Sequence, residues 1–199
     1  VLGRALAARQ IATLGVDASP ALVEAARRRA GPLEQHLVGD ARALPALLGN
    51  QTFDAASLVM ALQDLDPIEG VLAGIAKVLR PGGRCVIVLT HPCFRIPKRT
   101  AWGWDEQWGI QYRRVDAYLS PASLPIKIHP GMPADPSRTT SFHRPLSTYV
   151  NACGAAGLGI VAMEELCSHR RGTKGARYQA EDRAAKEIPQ FLVMTAQRP

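Results

Sequence analysis

Four apolar runs in the first ninety residues each end where a side chain could bind a ligand or move a proton. Ile11–Val16 stops at Asp17, Gln35–Val38 at Gly39-Asp40, Phe53–Met60 runs into Ala61-Leu62-Gln63, and Cys85–Leu89 into Thr90-His91. A carboxylate after such a run can accept two hydrogen bonds from the vicinal hydroxyls of a ribose, or can cap the next helix or sit on the surface. An imidazole titrates near ~6.5, so His91 suits a general base, or it simply terminates the run. His143, in Ser141-Phe-His-Arg-Pro145, enters a helical stretch and is the second candidate. His129 reads as a loop residue, and His36 and His169 show no partner in the sequence.

Regular elements must bring these residues together. The pattern predicts a helix over Leu2–Arg9 and a second over Ala21–Ala30, with Ser19 as N-cap and Pro20 at the first helical position. A third is predicted over Pro67–Leu79. Pro81-Gly82-Gly83 suits a type II turn, and Cys85–Leu89 has the continuous apolar texture of a strand buried on both faces. Strands separated by helices predict a doubly wound, mainly parallel α/β sheet, in which ligands bind beyond the carboxyl ends of the strands. After residue 145, Ser147 is expected to cap a helix to about Ala156. Ile160–Met163 and Ile188–Thr195 are expected as strands forming an antiparallel C-terminal edge. Residues 168–187 read as an exposed loop with a partial helix.

Residues 91–145 differ in texture. They hold 8 of the 15 prolines, 7 of the 11 aromatic residues and 8 basic against 4 acidic residues. The segment is expected to cap the sheet as an insertion, giving one domain over 1–199 with a ligand-binding part (1–90), the cap (91–145) and a C-terminal part (146–199). Phe94, Trp102, Trp104, Trp108 and Tyr112 could line an apolar acceptor pocket, with Arg95 pairing an anionic group; Arg113, Arg114 and Arg144 could do the same. The bland reading is a Pro-rich cover with packed aromatics and solvated arginines.

Taken as a set, the sequence resembles the class I S-adenosylmethionine-dependent methyltransferases, in their small-molecule, type 11-like branch. The resemblance rests on Leu14-Gly-Val-Asp-Ala-Ser19, Val38-Gly-Asp-Ala41, Phe53-Asp-Ala-Ala-Ser-Leu58 and Val78-Leu-Arg-Pro-Gly-Gly83, and on the closing pattern of Tyr149–Leu158 followed by strands. It implies a Rossmann-like fold with S-adenosyl-L-methionine as cofactor. Asp17 would hold the ribose with Ala18 beside the adenine, Asp40 and the Ala41 N–H would read the adenine edge, and Met60, Ala61 and Gln63 would pass under the methionine part. The family's first strand and Gly-rich loop do not precede Val1. Upstream residues are therefore expected in the natural protein, and a gap is expected in the middle of the sheet.

Composition sets the remaining bounds. The chain has 199 residues, enough for one domain, and a formal net charge of +7. No apolar run of 18 residues suggests a membrane span, so the expected setting is the cytoplasm. Four cysteines without ligand spacing suggest neither a metal site nor a disulfide scaffold, and Cys85 and Cys153 read as small buried hydrophobes. The leading function is methyl transfer to an oxygen or nitrogen of a small molecule under the cap. The alternatives are a nucleic-acid methyltransferase, made unlikely by the modest charge, a non-catalytic cofactor-binding protein, and a dinucleotide-dependent oxidoreductase.

Overall fold

The structure is a computed structural model that describes residues 1–127, 137–169 and 174–199. His129 lies outside the described residues.

The first half alternates as its periodicity requires. Helix α1 (Leu2–Ala7) precedes strand β1 (Thr13–Asp17), α2 (Pro20–Arg27) and β2 (Glu34–Val38). Pro20 opens α2, and the Ser19 hydroxyl accepts from Leu22 N–H at 3.3 Å. A 3-10 turn (Ala41–Ala43) leads into α3 (Leu44–Leu48), which the sequence pattern had not announced, and then β3 (Phe53–Val59). After a second 3-10 turn (Leu62–Asp64) come α4 (Ile68–Val78) and β4 (Leu79–Thr90). Helix α4 buries Ile68, Val71, Leu72, Ile75 and Val78, spaced as one helical face requires.

Strand β4 buries Cys85, Ile87 and Leu89 completely or nearly so and leaves Val86 and Val88 half-covered. The last strand, β10 (Phe191–Gln197), alternates the same way and buries Leu192, Met194 and Ala196. These side chains close one core with α4 and with Tyr149, Ala152 and Cys153 of α5 (Leu146–Ala155). Each fully buried leucine, isoleucine or methionine there contributes about 1.5–3 kcal/mol.

The strand order is β3-β4-β10-β9, with β3 parallel to β4, and β10 antiparallel to both β4 and β9 (Gly159–Leu166). The antiparallel part is where the sequence placed it, but the C-terminal strand is not the edge. It lies inside the sheet, paired with β4 and β9 and with Leu192, Met194 and Ala196 in the core, and the exposed β9 forms the edge. Strands β1 and β2 pair in parallel as a separate two-stranded sheet, so the expected gap separates β1 from β3. Val59 on β3 is correspondingly 51% exposed.

The segment 91–145, expected as a cap, contains two antiparallel hairpins. They are β5 (Thr100–Asp105) with β6 (Ile110–Val115), and β7 (Ala122–Lys127) with β8 (Arg138–His143). Helix α5 begins at Leu146 with Pro145 at the cap position, so Ser147 lies in the first turn and is not the N-cap. The orphan Leu146 N–H donates instead to the Tyr118 hydroxyl at 2.9 Å. Helix α6 (Tyr178–Glu187) fills the polar C-terminal stretch and packs on β6.

Candidate functional site

The carboxyl ends of β1, β2 and β3 carry Asp17, Asp40 and Met60. Asp17 is exposed, and its Oδ1 accepts from Ser19 N–H at 2.8 Å, which fixes the carboxylate at the mouth of the β1–α2 turn. Ala18 is likewise exposed beside it. Asp40 is more committed. Its Oδ1 takes the Arg42 N–H at 2.8 Å, and the Arg42 guanidinium binds both oxygens at 2.6–3.0 Å. This clasp holds the Asp40 carboxyl well below the ordinary range, at about 2. A base amine reaching Asp40 would share it with Arg42. Ala41 is half-buried at the start of the 3-10 turn.

Met60 adopts a left-handed conformation (φ 54), which a non-glycine residue rarely holds without a reason nearby. Its N–H donates to Val88 O at 2.7 Å, and its carbonyl accepts from Gln63 Nε2 at 3.0 Å. The second bond orients the Gln63 amide, so that Oε1 is the free atom. Ala61 lies between them, half-buried. Gln63 is 6% exposed, and its Oε1 is buried with no hydrogen-bond partner among the described residues.

The cap meets this segment through β8. Strand β8 packs against the 3-10 turn Leu62–Asp64, and the residues after it carry Arg144 into the contact. Arg144 is 8% exposed; its Nη2 donates to Leu65 O at 2.8 Å and to Asp66 Oδ1 at 2.6 Å. Its guanidinium lies over the Phe142 ring at 5.1 Å, and Nη1 is buried without a partner among the described residues. Gln63, Thr90, Ser141, His143, Arg144 and Tyr149 belong to the lining of one recess whose free space is about 10 Å³, room for a single water. Phe142 also lines an adjoining open cleft of about 430 Å³ with Arg42, Asp64, Asp66 and two threonines, Thr139 and Thr140.

Burial pushes the titratable groups here toward their neutral forms. It raises the Asp64 carboxyl, against a smaller opposing pull from the Ser141 hydroxyl, and it raises the Tyr149 hydroxyl. It also lowers His143, whose Nε2 pairs with the Tyr118 carbonyl at 2.7 Å. A carbonyl only accepts, so Nε2 carries the proton and Nδ1 keeps the lone pair of a base.

His91 is arranged differently. It is 1% exposed at the end of β4; Nδ1 accepts from Cys93 N–H at 3.1 Å, and Nε2 donates to Glu165 Oε1 at 2.7 Å. Both ring nitrogens are thus occupied, and proton abstraction by His91 would require breaking one of these bonds. Phe94 stacks on the same ring at 4.8 Å.

Of the nine residues offered for an acceptor, Arg95 and Arg144 line the recess, and the Arg95 guanidinium lies over Phe191 at 4.7 Å. Trp102, Trp104, Trp108 and Tyr112 line neither cavity. They belong to the β5–β6 hairpin, where Arg113 covers Trp102, Arg177 covers Trp104, Tyr112 crosses Gly103 and Trp108 is 71% exposed. Asp64, Ser141 and Tyr149 are among the lining residues of the two cavities that the sequence reading did not single out. The only signal for Asp64 was its place directly after Gln63.

Residues 2–87 match a family model described as a methyltransferase domain, of type 11. Among curated proteins, the chain is 39% identical over 79 residues to a ubiquinone/menaquinone biosynthesis C-methyltransferase of Desulfotalea psychrophila, covering 39% of this chain and 31% of that protein. It is 32% identical over 93 residues to a demethylmenaquinone methyltransferase of Tropheryma whipplei, covering 45% and 37% respectively. The chain thus spans only about a third of the length of these relatives. Among solved structures, an S-adenosylmethionine dependent methyltransferase from Mesorhizobium loti superposes with a TM-score of 0.70 at 26% identity, over 94% of this chain and 80% of that one. Residues 2–87 are thus similar to a methyltransferase domain, and the fold, with acidic residues at its strand ends, is similar to that of an S-adenosylmethionine-dependent methyltransferase.

Proposed function

We propose that the protein transfers a methyl group from S-adenosyl-L-methionine to an oxygen or nitrogen of a small-molecule acceptor held beneath the 91–145 cap. The observation that carries this reading is the convergence of Asp17, Asp40 and the Met60–Gln63 turn at the ends of three strands, with β8 of the cap packed directly against that turn. When bound, the cofactor supplies an electrophilic methyl group on a sulfonium.

The chain's residues do the rest by holding and by excluding water. Asp17 holds the ribose through its free oxygen, with Ala18 beside the adenine. Asp40 and the Ala41 N–H meet the adenine edge. Met60, Ala61 and Gln63 floor the methionine part. His143, neutral and basic at Nδ1, accepts a proton from the acceptor. The cap keeps bulk water out.

Similarity to a ubiquinone/menaquinone biosynthesis C-methyltransferase supports a second reading, transfer to a carbon of the acceptor. Both readings place the protein in the cytoplasm, and no helix among the described residues is long and apolar enough to cross a membrane.

Titration calorimetry of S-adenosylhomocysteine tests the reading. Micromolar binding is expected, weakened by about 1–3 kcal/mol in Asp17→Ala, the range for leaving a buried partner unpaired. Absence of binding to the unaltered chain overturns it.

A further inference from the structure

The open cleft of about 430 Å³ takes its walls from three segments. Arg42 comes from the turn after β2, Asp64 and Asp66 from the connection between β3 and α4, and Thr139, Thr140 and Phe142 from β8. The volume is within the usual range for a small-molecule site. Its charges do not balance. The Arg42 guanidinium is engaged by both oxygens of Asp40, and Arg144 by Asp66 Oδ1 at 2.6 Å. Asp64 is then a third carboxylate against two guanidinium groups, and no cation among the described residues pairs with it. Burial raises its carboxyl, and the Ser141 hydroxyl is the one group that opposes this. Its Oδ1 is buried without a hydrogen-bond partner among the described residues. A half-buried carboxylate with neither cation nor full hydrogen bonding carries a desolvation cost that a cationic donor would offset.

We infer that this cleft binds a small organic amine, held in its ammonium form by the Asp64 carboxylate. The carboxyl torsion of an aspartate is broad, so Asp64 can turn an oxygen toward an N–H that enters the cleft. Thr139 and Thr140 bring hydroxyl groups that accept the remaining N–H bonds, and Phe142 gives the organic part an apolar wall. An anion fits poorly, because Asp40 and Asp66 already occupy the two guanidinium groups and Asp64 repels it. A divalent cation asks for about six oxygen ligands, whereas Asp66 is taken by Arg144 and one wall is an aromatic ring. The site stands on the cleft's own charges and does not depend on methyl transfer.

The probe is benzylamine, with benzyl alcohol and benzoate as its neutral and anionic counterparts. Binding is followed by the backbone amide resonances of Asp64, Thr139 and Thr140 in ¹⁵N-labelled protein. The expected result is that benzylamine shifts these resonances and binds about tenfold more tightly than either counterpart. Asp64→Asn, which keeps the shape and removes the charge, should lose about tenfold in affinity for benzylamine. If that variant does not fold, the ranking of the three probes on the unaltered protein decides. No shift with benzylamine, equal affinity for the three probes, or unchanged affinity in a folded Asp64→Asn overturns the site. S-adenosylhomocysteine added to the benzylamine complex separates this inference from the methyltransferase reading. Its binding alongside benzylamine leaves both standing, and displacement of benzylamine gives the cleft to the cofactor and overturns the amine site. Its failure to bind sinks the methyltransferase reading and leaves the amine site in place.

Discussion

His91, on the last turn out of β4, and Glu165, on the edge strand β9, meet at 2.7 Å between Nε2 and Oε1, across the intervening strand β10. The imidazole is 2% exposed at its side chain and the carboxylate 59%. Because Cys93 N–H occupies Nδ1, the proton sits on Nε2 and the histidine bridges the start of the cap to the edge of the sheet. Glu165 keeps an oxygen in water, so the pair avoids the full desolvation of a buried ion pair.

Removing Glu165 should therefore cost little more than one hydrogen bond. Glu165→Ala is expected to lower unfolding stability by about 1 kcal/mol, whereas Glu165→Gln, which still accepts from Nε2, should stay within about 0.5 kcal/mol. Urea denaturation of the three proteins distinguishes these values. Equal losses in both variants would mean that the charge rather than the acceptor matters.

Arg198 closes the opposite end of the same sheet. Its Nη1 donates to the carbonyls of Ala76, Lys77 and Leu79 at the C-terminus of α4, and its backbone pairs with Gly82 and Gly83. A guanidinium there satisfies orphan carbonyls and complements the negative end of the helix dipole. Arg198→Ala should cost about 2 kcal/mol and lower the melting temperature by about 4–8 °C for a domain of this size. Calorimetry that shows less than a degree of change would make Arg198 a bystander.

Pro81-Gly82-Gly83, expected as a type II turn, lies inside β4 at an irregularity in its pairing with β3, and the local geometry explains why both glycines stand there. Gly82 has φ +79, and a Cβ on Gly83 would come within 2.8 Å of Arg80 O and 3.2 Å of Asp54 O. Those obstacles are backbone atoms that side-chain rotation cannot clear. Gly83→Ala is expected to destabilise by about 1–3 kcal/mol, and Gly82→Ala by about 1–2 kcal/mol through its left-handed backbone alone. Chemical denaturation of the two variants checks the order.

What the sequence showed was mostly what short-range patterns encode. Ser19-Pro20 announces α2, alternation announces β4 and β10, and the acidic residues at strand ends announce where a ligand would lie. Pro125 masks β7, whereas β5, β6 and β8 contain no proline and were passed over as parts of a Pro-rich segment. The polar seam escaped because Gln63, Asp64 and Arg144 meet only through the packing of β8 on the β3–α4 connection, a relation with no local signature. The tryptophans misdirected for the converse reason. Their clustering is the register of one hairpin, with arginines stacked on its faces.

The cysteines give a chemical check on the core. Burial pushes the Cys85 thiol up to about 12 and Cys153 up to about 11, and neither side chain is exposed. Thiolate is the reactive form, so at pH 8 iodoacetamide should leave both unlabelled in the native protein and label both in denaturant. Peptide mass mapping reads this directly. Native labelling of either would mean that the α4–α5–β4 core opens readily.

His143 sets a pH dependence. Burial, with Arg99 adding to it, holds its pKa below the ordinary 6.5 in the folded protein. As pH falls through about 6.5, the unfolded chain takes up a proton that the folded chain refuses, so this residue removes stability in acid and has no effect above that range. The loss stops once pH passes below the folded pKa, where both states are protonated. His143→Gln, whose amide can still donate to Tyr118 O, should remove this component. Unfolding free energies measured at pH 7.5 and pH 5.5 should therefore fall more in the unaltered protein than in the variant. Equal falls would mean that His143 titrates as it would in water, and that the recess is wet enough to receive the charge.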